Sequence, residues 1–406
     1  MNAKQKFLLY PHIYYTTNCK NKLLLYNTKT GKSIESDSGI CRELIENVYK
    51  PVHLGVIDLT NSYLNHPDAV CFIEQIVEKD FGKVIDVIPD MPIIINLLPI
   101  LNLQDDVERL KVDDESNVGE KSLRYLNELN IYLNNSCYLQ CPHCSGYYKQ
   151  TKSCYKGSPN TVILPDKIKE LLDSLAYSSL KKINFLGGNI LLYPYLSELT
   201  ALLKNYDFDF HFWIYAENLM RMNSIPDLKQ EIIIHFPIDI NAIKNHIGKN
   251  NNQTCHFFIE DEKQYTDAVS IIESTDIKDY RIIPVYTGDN HLFFEGNIYL
   301  SQEDIFASPI PLRIIFCNQK LNSNHFGKLY ILSNGEIKAN INTSTLGNIY
   351  ENSLLEVIAT ELNTNTAWRT IRKREPCNDC MYQYLCPPPS NYETIIGKPN
   401  LCHVHP

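Results

Sequence analysis

Three cysteines lie close together in the stretch 130–145, NIYLNNSCYLQCPHCS, with the spacing CxxxCxxC. They are Cys137, Cys141 and Cys144, and they directly follow an apolar, β-branched run that predicts a strand entering a loop. Thiolates are soft ligands that suit iron and zinc, and a loop this short can bring three sulfurs together. A structural zinc site needs four ligands, so three thiols indicate an iron–sulfur cubane with one iron open to a ligand that is not protein.

A second set of cysteines lies near the end of the chain. Cys377, Cys380 and Cys386 have the spacing CxxCxxxxxC, and Cys402 follows in PNLCHV. On spacing alone, four thiols in a compact tail are also typical of a zinc ribbon.

Composition limits the class of protein. The 406 residues exceed one ordinary core, so we expect two or three domains. A net charge of -9 without a basic stretch argues against nucleic acid as a partner. The sequence shows neither a signal peptide nor an apolar run that could span a membrane. We therefore expect a cytoplasmic protein, in which clustered cysteines are metal ligands and not disulfides.

Strand and helix patterns alternate after the linker and predict the elements that position these residues. The strand patterns cover 129–133, 182–186, 210–215, 231–237, 255–260 and 280–285, and the helix patterns cover 164–175, 195–203 and 266–272. Repeated βα units with apolar strands imply a parallel sheet with helices outside it. Six strands are fewer than a full eightfold barrel requires.

A Gly-Gly pair directly follows the second of these strands. Gly187 and Gly188 stand at its carboxyl end, where parallel sheets bind ligands, and glycine lets a ligand approach the backbone closely. A Gly-Gly pair by itself is also typical of an ordinary turn.

The first hundred residues contain strand patterns at 10–17, 23–27 and 30–35 and helix patterns at 37–49 and 67–79. Nothing in this part indicates chemistry. The charged stretch 104–120 predicts a linker or an exposed helix.

Taken together, the CxxxCxxC motif, the Gly-Gly segment one βα unit later and the cysteine-rich tail resemble the radical S-adenosylmethionine (SAM) enzymes that carry a SPASM extension and modify peptides. The segment LYILSNGEIKANINTSTLGNIYENSLLEVI is similar to the SPASM hairpin and the helix after it. Trp368 and the segment CPPPSNYE resemble a subgroup encoded with double-glycine-leader peptides. Some members of that subgroup have lost the first cluster motif and are pseudo-radical-SAM proteins, but here the motif is intact.

The resemblance implies an α/β fold in four parts. A winged-helix-like α+β domain that recognises a leader peptide would cover 1–103, and a linker would cover 104–124. A partial (β/α)6 radical SAM barrel would cover 125–308, and a SPASM domain with an auxiliary cluster would cover 309–406. For the first part, an extension that merely packs on the next domain is the alternative.

The resemblance also implies cofactors and partners. Cys137, Cys141 and Cys144 would hold a [4Fe-4S] cluster that passes an electron to SAM, producing methionine and a 5′-deoxyadenosyl radical. Gly187, Gly188 and Asn189 would bind SAM. One auxiliary [4Fe-4S] cluster would be held by Cys377, Cys380, Cys386 and Cys402. The partners implied are a precursor peptide with its leader, a reductant such as flavodoxin or ferredoxin, and a peptide exporter.

Two departures from the family pattern bear on this interpretation. Asn189 stands where the family has a glutamate that holds the SAM amino group, and an amide brings no charge to an ammonium. Asn340 and Ser390 stand where the family has cysteines for a second auxiliary cluster, and Cys317 alone remains of that set. We therefore expect one auxiliary cluster.

Two alternatives stay open. The first is a catalytically silent protein of the same fold that binds or escorts the precursor peptide; Asn189 and the missing auxiliary cluster favour it, and the intact CxxxCxxC motif opposes it. The second is a structural module with two zinc ions. It requires a fourth ligand near Cys144, for which His143 and Cys154 are the local candidates.

Overall fold

The computed structural model describes residues 4–18, 20, 22–89, 91–101, 122–139, 141, 144–155, 157, 161–176, 178–219, 228–239, 241, 246–247, 252–275 and 277–404. The charged stretch 104–120 and His143 lie outside the described residues. Within the part of the chain that the structure describes, no helix is both long and apolar enough to cross a membrane.

The N-terminal part contains two antiparallel sheets of three strands each. The first has the order β5–β1–β6 and the second the order β2–β3–β4. Their strands are β1 (Gln5–Leu9), β2 (Ile13–Thr17), β3 (Leu23–Asn27), β4 (Ser33–Ser36), β5 (Val56–Asp58) and β6 (Gly82–Asp86). The helices are α1 (Gly39–Tyr49), α2 (Asn61–Leu64) and α3 (Pro67–Glu78), and a 3-10 turn covers Pro51–His53. The strand pattern at 10–17 therefore begins too early, because a turn joins β1 to β2.

Strand β3 is buried on both faces. Leu23 and Leu25 pack into the N-terminal core, whereas Leu24 and Tyr26 face the C-terminal part of the chain. The Tyr26 hydroxyl accepts a hydrogen bond from the Ile310 backbone N–H at 2.8 Å. The N-terminal sheet β2–β3–β4 thus packs directly against the cysteine-rich tail, which explains why the run LLLYN is apolar without alternation.

A mostly parallel sheet of nine strands forms the centre of the molecule, with the order β12–β11–β10–β9–β8–β7–β13–β14–β15. Its parallel strands are β7 (Glu128–Tyr132), β8 (Lys182–Leu186), β9 (Asp209–Tyr215), β10 (Lys229–His235), β11 (Gln253–Ile259), β12 (Tyr280–Pro284) and β13 (Lys328–Ile331). Antiparallel strands β14 (Glu336–Lys338) and β15 (Gly347–Asn348) extend it. The expected mixed α/β class and the six strands from β7 to β12 are confirmed, with bounds that differ by one or two residues.

The other helices in the described part of the chain connect these strands and complete the tail. They are α4 (Cys144–Gln150), α5 (Pro165–Ser174), α6 (Leu196–Leu203), α7 (Ala216–Leu219), α8 (Glu262–Ser274), α9 (His291–Ile298), α10 (Gln302–Phe306), α11 (Leu312–Lys320), α12 (Leu354–Thr364) and α13 (Asn391–Ile396). Short 3-10 turns cover Ser122–Tyr125, Ile190–Leu192 and Cys377–Asp379.

The two faces of the central sheet differ in chemistry. One face belongs to the main aliphatic core, which also includes Trp368 from the tail. The other face is aromatic towards the carboxyl ends of the strands, where it carries Tyr132, Trp213, Tyr215 and Phe258. This second face, called the inner face below, is the one that points towards the cysteine loop.

A buried charge cluster lies on the inner face towards the amino ends of the strands. The Glu231 carboxylate is within 2.6 Å of both His211 Nδ1 and His256 Nε2, and Lys182 Nζ lies 3.2 Å away. Burial alone would raise the pKa of Glu231, but the hydrogen bonds from both histidines outweigh it and hold that pKa well below its usual range. The cluster links β8, β9, β10 and β11 and so fixes their register.

Candidate metal centre

The cysteines of the CxxxCxxC motif line one pocket at the carboxyl ends of the parallel strands. Cys137 and Cys141 lie in the loop after β7, and Cys144 is the first residue of α4. The pocket is completed by a further thiol and by side chains from the loop, α4 and the ends of β9 and β10: Leu139, Tyr147, Ser153, Cys154, Tyr215 and His235. We call it the loop cysteine pocket. The structure therefore brings the three motif cysteines to one place and adds Cys154.

The donor set of this pocket suits an iron–sulfur cluster. Among the residues that the structure describes, no three His, Cys, Asp or Glu side chains are grouped so that they could hold a metal ion. In a cubane each thiolate binds a different iron atom. The ligand sulfurs therefore surround the whole cluster and do not converge on a single metal ion. Four of the nine described lining residues are cysteines, and Leu139, Tyr147 and Tyr215 are apolar or aromatic, which matches a soft metal cluster in a water-poor site.

The Gly-Gly pair holds the loop that leads to Cys137. The Gly188 N–H donates to the Asn134 carbonyl at 3.1 Å, and the Asn189 N–H donates to the Ser136 carbonyl at 2.5 Å. A Cβ on Gly188 would lie 2.5 Å from the Ser136 carbonyl oxygen, and a Cβ on Gly187 would lie 3.0 Å from that of Asn134. Glycine is needed here because two backbone segments pass each other closely.

The Asn189 side chain caps its own turn. Its Oδ1 accepts the Leu191 N–H at 3.0 Å at the start of the 3-10 turn Ile190–Leu192. Its carbonyl accepts a hydrogen bond from Asn134 Nδ2 at 2.9 Å, and the residue is buried. Residues 187–189 are not among the described residues that line the loop cysteine pocket. In this structure the three residues expected to bind SAM support the cysteine loop.

Substituting Gly188 tests this packing. Gly188→Ala is expected to lower the free energy of unfolding by about 1–3 kcal/mol, because the added methyl group overlaps backbone that cannot move independently. It should also reduce the iron bound by the loop cysteines after anaerobic reconstitution. Denaturant unfolding and iron analysis measure the two effects. The matched control is Gly296→Ala in α9, where a Cβ meets nothing within 4 Å. Equal stability of the two variants would contradict the close approach.

His235 was missed by the sequence analysis. It lies at the end of β10 and is 7% exposed, and neither ring nitrogen has a hydrogen-bond partner among the described residues. Its ring lies between Tyr147, Tyr215 and Phe258, with centroid distances of 4.5, 4.7 and 5.0 Å. Burial lowers the pKa of His235 to about 3, so the ring is neutral. Its sequence signal is weak, since a single histidine in an apolar strand is usual.

Tyr147 connects α4 to the sheet. Its hydroxyl donates to the Glu260 carboxylate at the end of β11. Burial and this hydrogen bond raise the pKa of Tyr147 well above its usual value. Further along α4, Gln150 accepts the Tyr286 N–H and donates to the Tyr286 carbonyl, each at 2.7 Å. These contacts fix the helix whose first residue is Cys144.

The four tail cysteines line a second pocket, which we call the tail cysteine pocket. Cys377, Cys380, Cys386 and Cys402 lie around it together with Arg372. Cys402 is carried there by a parallel bridge to Leu300, whose N–H donates to the Leu401 carbonyl at 3.1 Å. The spacing alone could not show this pairing.

Arg372 is a buried cation in the wall of the tail cysteine pocket. Its Nη2 lies 2.9 Å from the Glu393 carboxylate, and its Nη1 donates to Cys377 Sγ at 3.9 Å. Burial raises the pKa of Cys377, and the Arg372 charge opposes that rise. Burial also raises the pKa of Cys380 to about 11 and that of Cys386 to about 12. These two thiols are therefore neutral near pH 7 without a metal, and metal binding there must release protons.

The positions expected for a second auxiliary cluster hold a polar network. Asn340 Nδ2 donates to Asn391 Oδ1 at 2.7 Å and also contacts the His325 ring. Ser390 Oγ donates to the Glu393 carboxylate at 2.6 Å and caps α13. Cys317 lies in α11 and is not among the described lining of either cysteine pocket.

Comparisons with known proteins find distant structural similarity to solved structures. No protein-family model matches the sequence, and no curated protein matches it. Two crystal structures of Streptococcus suis SuiB are similar over 98% of both chains at 14% identity. The one bound to the precursor peptide SuiA has a TM-score of 0.44, and the one bound to S-adenosylmethionine has 0.43. The structure of anSMEcpe with bound AdoMet matches 64% of this chain and 84% of its own at 12% identity and a TM-score of 0.42. Sequence identities and TM-scores this low do not establish a shared activity.

Proposed function

We propose that this protein is a radical SAM peptide maturase. The observation that carries the proposal is the loop cysteine pocket, in which Cys137, Cys141 and Cys144 meet at the carboxyl ends of the parallel strands. That edge is where parallel α/β sheets bind ligands. The tail cysteine pocket supports the same proposal, because a second set of four thiols suits an auxiliary cluster.

The three loop thiols would hold a [4Fe-4S] cluster, which when bound supplies one electron to cleave SAM and so generates a radical that abstracts hydrogen from the peptide. Tyr147 and Tyr215 line the pocket beside them, and Phe258 packs behind His235. Such an aromatic wall excludes water from a reactive site. In the tail, Cys377, Cys380, Cys386 and Cys402 would hold the auxiliary [4Fe-4S] cluster.

A groove in the N-terminal part is proposed to bind the precursor peptide. Residues 14–17 of the edge strand β2 line it, together with the extended segment 96–101. Apolar side chains on and beside this segment are largely exposed: Ile93 by 86%, Leu97 by 80% and Ile100 by 76%. An exposed strand edge next to apolar side chains suits an extended peptide, which would pair with the backbone and bury its own apolar residues.

A catalytically silent peptide-binding protein is the second candidate. The Asn189 side-chain oxygen is engaged by Leu191 N and brings no negative charge to an ammonium. This observation favours binding without SAM cleavage.

The deciding experiment uses the full chain after anaerobic reconstitution. Iron and sulfide are measured first, and 5′-deoxyadenosine release from SAM is then measured with a strong reductant. About eight irons per chain together with cleavage would support the enzyme with one auxiliary cluster. The same iron content without cleavage would support the silent protein. Zinc in place of iron would overturn both.

Arg372 gives a prediction that is independent of SAM. Arg372→Gln is expected to make the midpoint potential of the tail cluster more negative, because a buried cation near Cys377 stabilises the reduced, more negatively charged cluster. An EPR-monitored redox titration in a Cys141→Ala background, where the tail cluster alone is expected, measures it. Arg372→Lys keeps the charge and should move the potential less.

A companion variant controls for the carboxylate that Arg372 neutralises. The double variant Arg372→Gln/Glu393→Gln removes both charges of the buried pair and leaves no lone carboxylate. Its potential should lie between those of the wild type and Arg372→Gln. Identical potentials in all variants would show that Arg372 does not act on a cluster in this pocket.

A further inference from the structure

Cys154 is held beside the motif cysteines by the same loop that supports them. It lies after α4, and the next residue, Tyr155, donates its backbone N–H to the Gly187 carbonyl at 3.0 Å. A side chain on Gly188 would overlap the cysteine loop, which passes directly against this residue. The Gly-Gly pair therefore joins the loop before Cys137 on one side to the segment that carries Cys154 on the other.

The Cys154 thiol faces the loop cysteine pocket. It is a lining residue of that pocket together with Cys137, Cys141 and Cys144. Four thiols thus surround one small pocket whose surroundings are aromatic.

A second observation marks this pocket as a place for a ligand. His235 is buried and lines the pocket, and both its ring nitrogens lack a hydrogen-bond partner among the described residues. A buried imidazole without partners is costly, so such a site is expected to receive a polar or metal-bound group. The four thiols and His235 line the same small pocket, so both observations indicate a ligand there.

We infer that Cys154 is a fourth thiolate ligand of the cluster held by Cys137, Cys141 and Cys144, on the iron that these three leave open. The inference rests on the cluster of the proposed function and adds a ligand to it. On ligation the Cys154 thiol gives its proton to solvent and forms a sulfur–iron bond. SAM would then have to displace Cys154 to reach that iron, so the thiol competes directly with the cofactor.

Oxidative loss of iron tests the inference without SAM. Ferricyanide takes one electron from a [4Fe-4S] cluster whose fourth iron has no protein ligand, and that iron leaves as Fe2+ to give a three-iron cluster with its own EPR signal. The full chain is reconstituted anaerobically, treated briefly with ferricyanide and measured. The variants are Cys154→Ala and, as the matched control, Cys317→Ala, whose thiol is not among the described lining of either pocket.

With four thiolates on each cluster, the wild type and Cys317→Ala should show little three-iron signal, and Cys154→Ala should show a several-fold larger one. A three-iron signal near one per chain that persists in Cys380→Ala, which lacks the tail cluster, would overturn the inference, and this result is decisive even if Cys154→Ala takes up no iron. Equal signals in the wild type and in iron-loaded Cys154→Ala would overturn it as well. Failure of SAM cleavage would instead count against the proposed enzyme and leave this ligand assignment untouched.

Discussion

Cys141→Ala is expected to abolish SAM cleavage and to remove the iron of the loop cysteine pocket. A cubane needs the thiolate on each ligated iron, and Cys141 is the middle ligand of a loop that is held at Asn134 and Ser136. Iron content should fall from about eight to about four atoms per chain, because the tail cysteines are unaffected. 5′-Deoxyadenosine release should fall to the level without enzyme.

Two comparisons make this result specific. Cys317→Ala removes a thiol of the tail that is outside the described lining of both pockets, and it should keep both iron content and cleavage. Cys380→Ala should instead lose the tail iron and keep the loop iron. Full modification of a precursor peptide by Cys141→Ala would exclude the proposed mechanism. Full iron content in that variant would show that Cys137, Cys144 and Cys154 hold a cluster without Cys141.

The six strands from β7 to β12 could be predicted because the signal lies within each strand. Each is a short apolar run that is bounded by polar or turn residues, and in this sheet the order of these six strands follows their order in the chain. Strand β13 could not be placed in the same way. It pairs with β7, from which strands β8 to β12 separate it in the chain, and no local pattern specifies that pairing.

The N-terminal sheets show a related difficulty. Strand β1 is the centre of the sheet β5–β1–β6, but its partners are the three-residue strand Val56–Asp58 and the strand Gly82–Asp86, both flanked by turns and helices. Runs this short carry little periodicity. The helices at 39–49 and 67–78 were easier, because their apolar residues recur on one face over three turns.

At the candidate site, sequence spacing showed which cysteines are near one another along the chain and could not show what surrounds them. Cys154 is held at the loop cysteine pocket by its neighbour Tyr155, whose backbone N–H donates to the Gly187 carbonyl. His235 enters it from β10, and Arg372 enters the tail cysteine pocket through its ion pair with Glu393. The sequence named Cys154 as a local candidate for a fourth ligand, but the contacts of His235 and Arg372 depend on the tertiary fold, so a one-dimensional pattern contains no signal for them.

Glu361→Ala is expected to cause the largest loss of stability of any single substitution considered. Glu361 lies in α12 and is fully buried, and its carboxylate accepts the backbone N–H groups of Thr366, Ala367 and Trp368 at 3.0, 2.9 and 2.7 Å. Alanine would leave these three backbone N–H groups without an acceptor in the protein interior, where water cannot replace it. At about 1–3 kcal/mol for each of the three donors, the free energy of unfolding should fall by roughly 3–9 kcal/mol.

The loss of stability should also affect the tail cysteine pocket, because Trp368 links the turn after α12 to the central sheet. Its indole N–H donates to the Lys328 carbonyl of β13 at 2.9 Å, and its own carbonyl accepts the Asn322 N–H at 2.8 Å. Arg372 follows it in the chain. Glu361→Ala should therefore also lower the iron held by the tail cysteines, whereas the loop iron should persist in protein that remains folded.

A second glutamate of the same helix provides the matched control. Glu356 is exposed and caps the start of α12 by accepting the Ser353 N–H at 2.9 Å, so Glu356→Ala should cost much less stability. Glu361→Gln keeps one acceptor oxygen and should fall between the two. Thermal or denaturant unfolding of the three variants gives the order directly. If Glu361→Ala were no less stable than Glu356→Ala, the buried carboxylate would not be what joins the tail to the sheet.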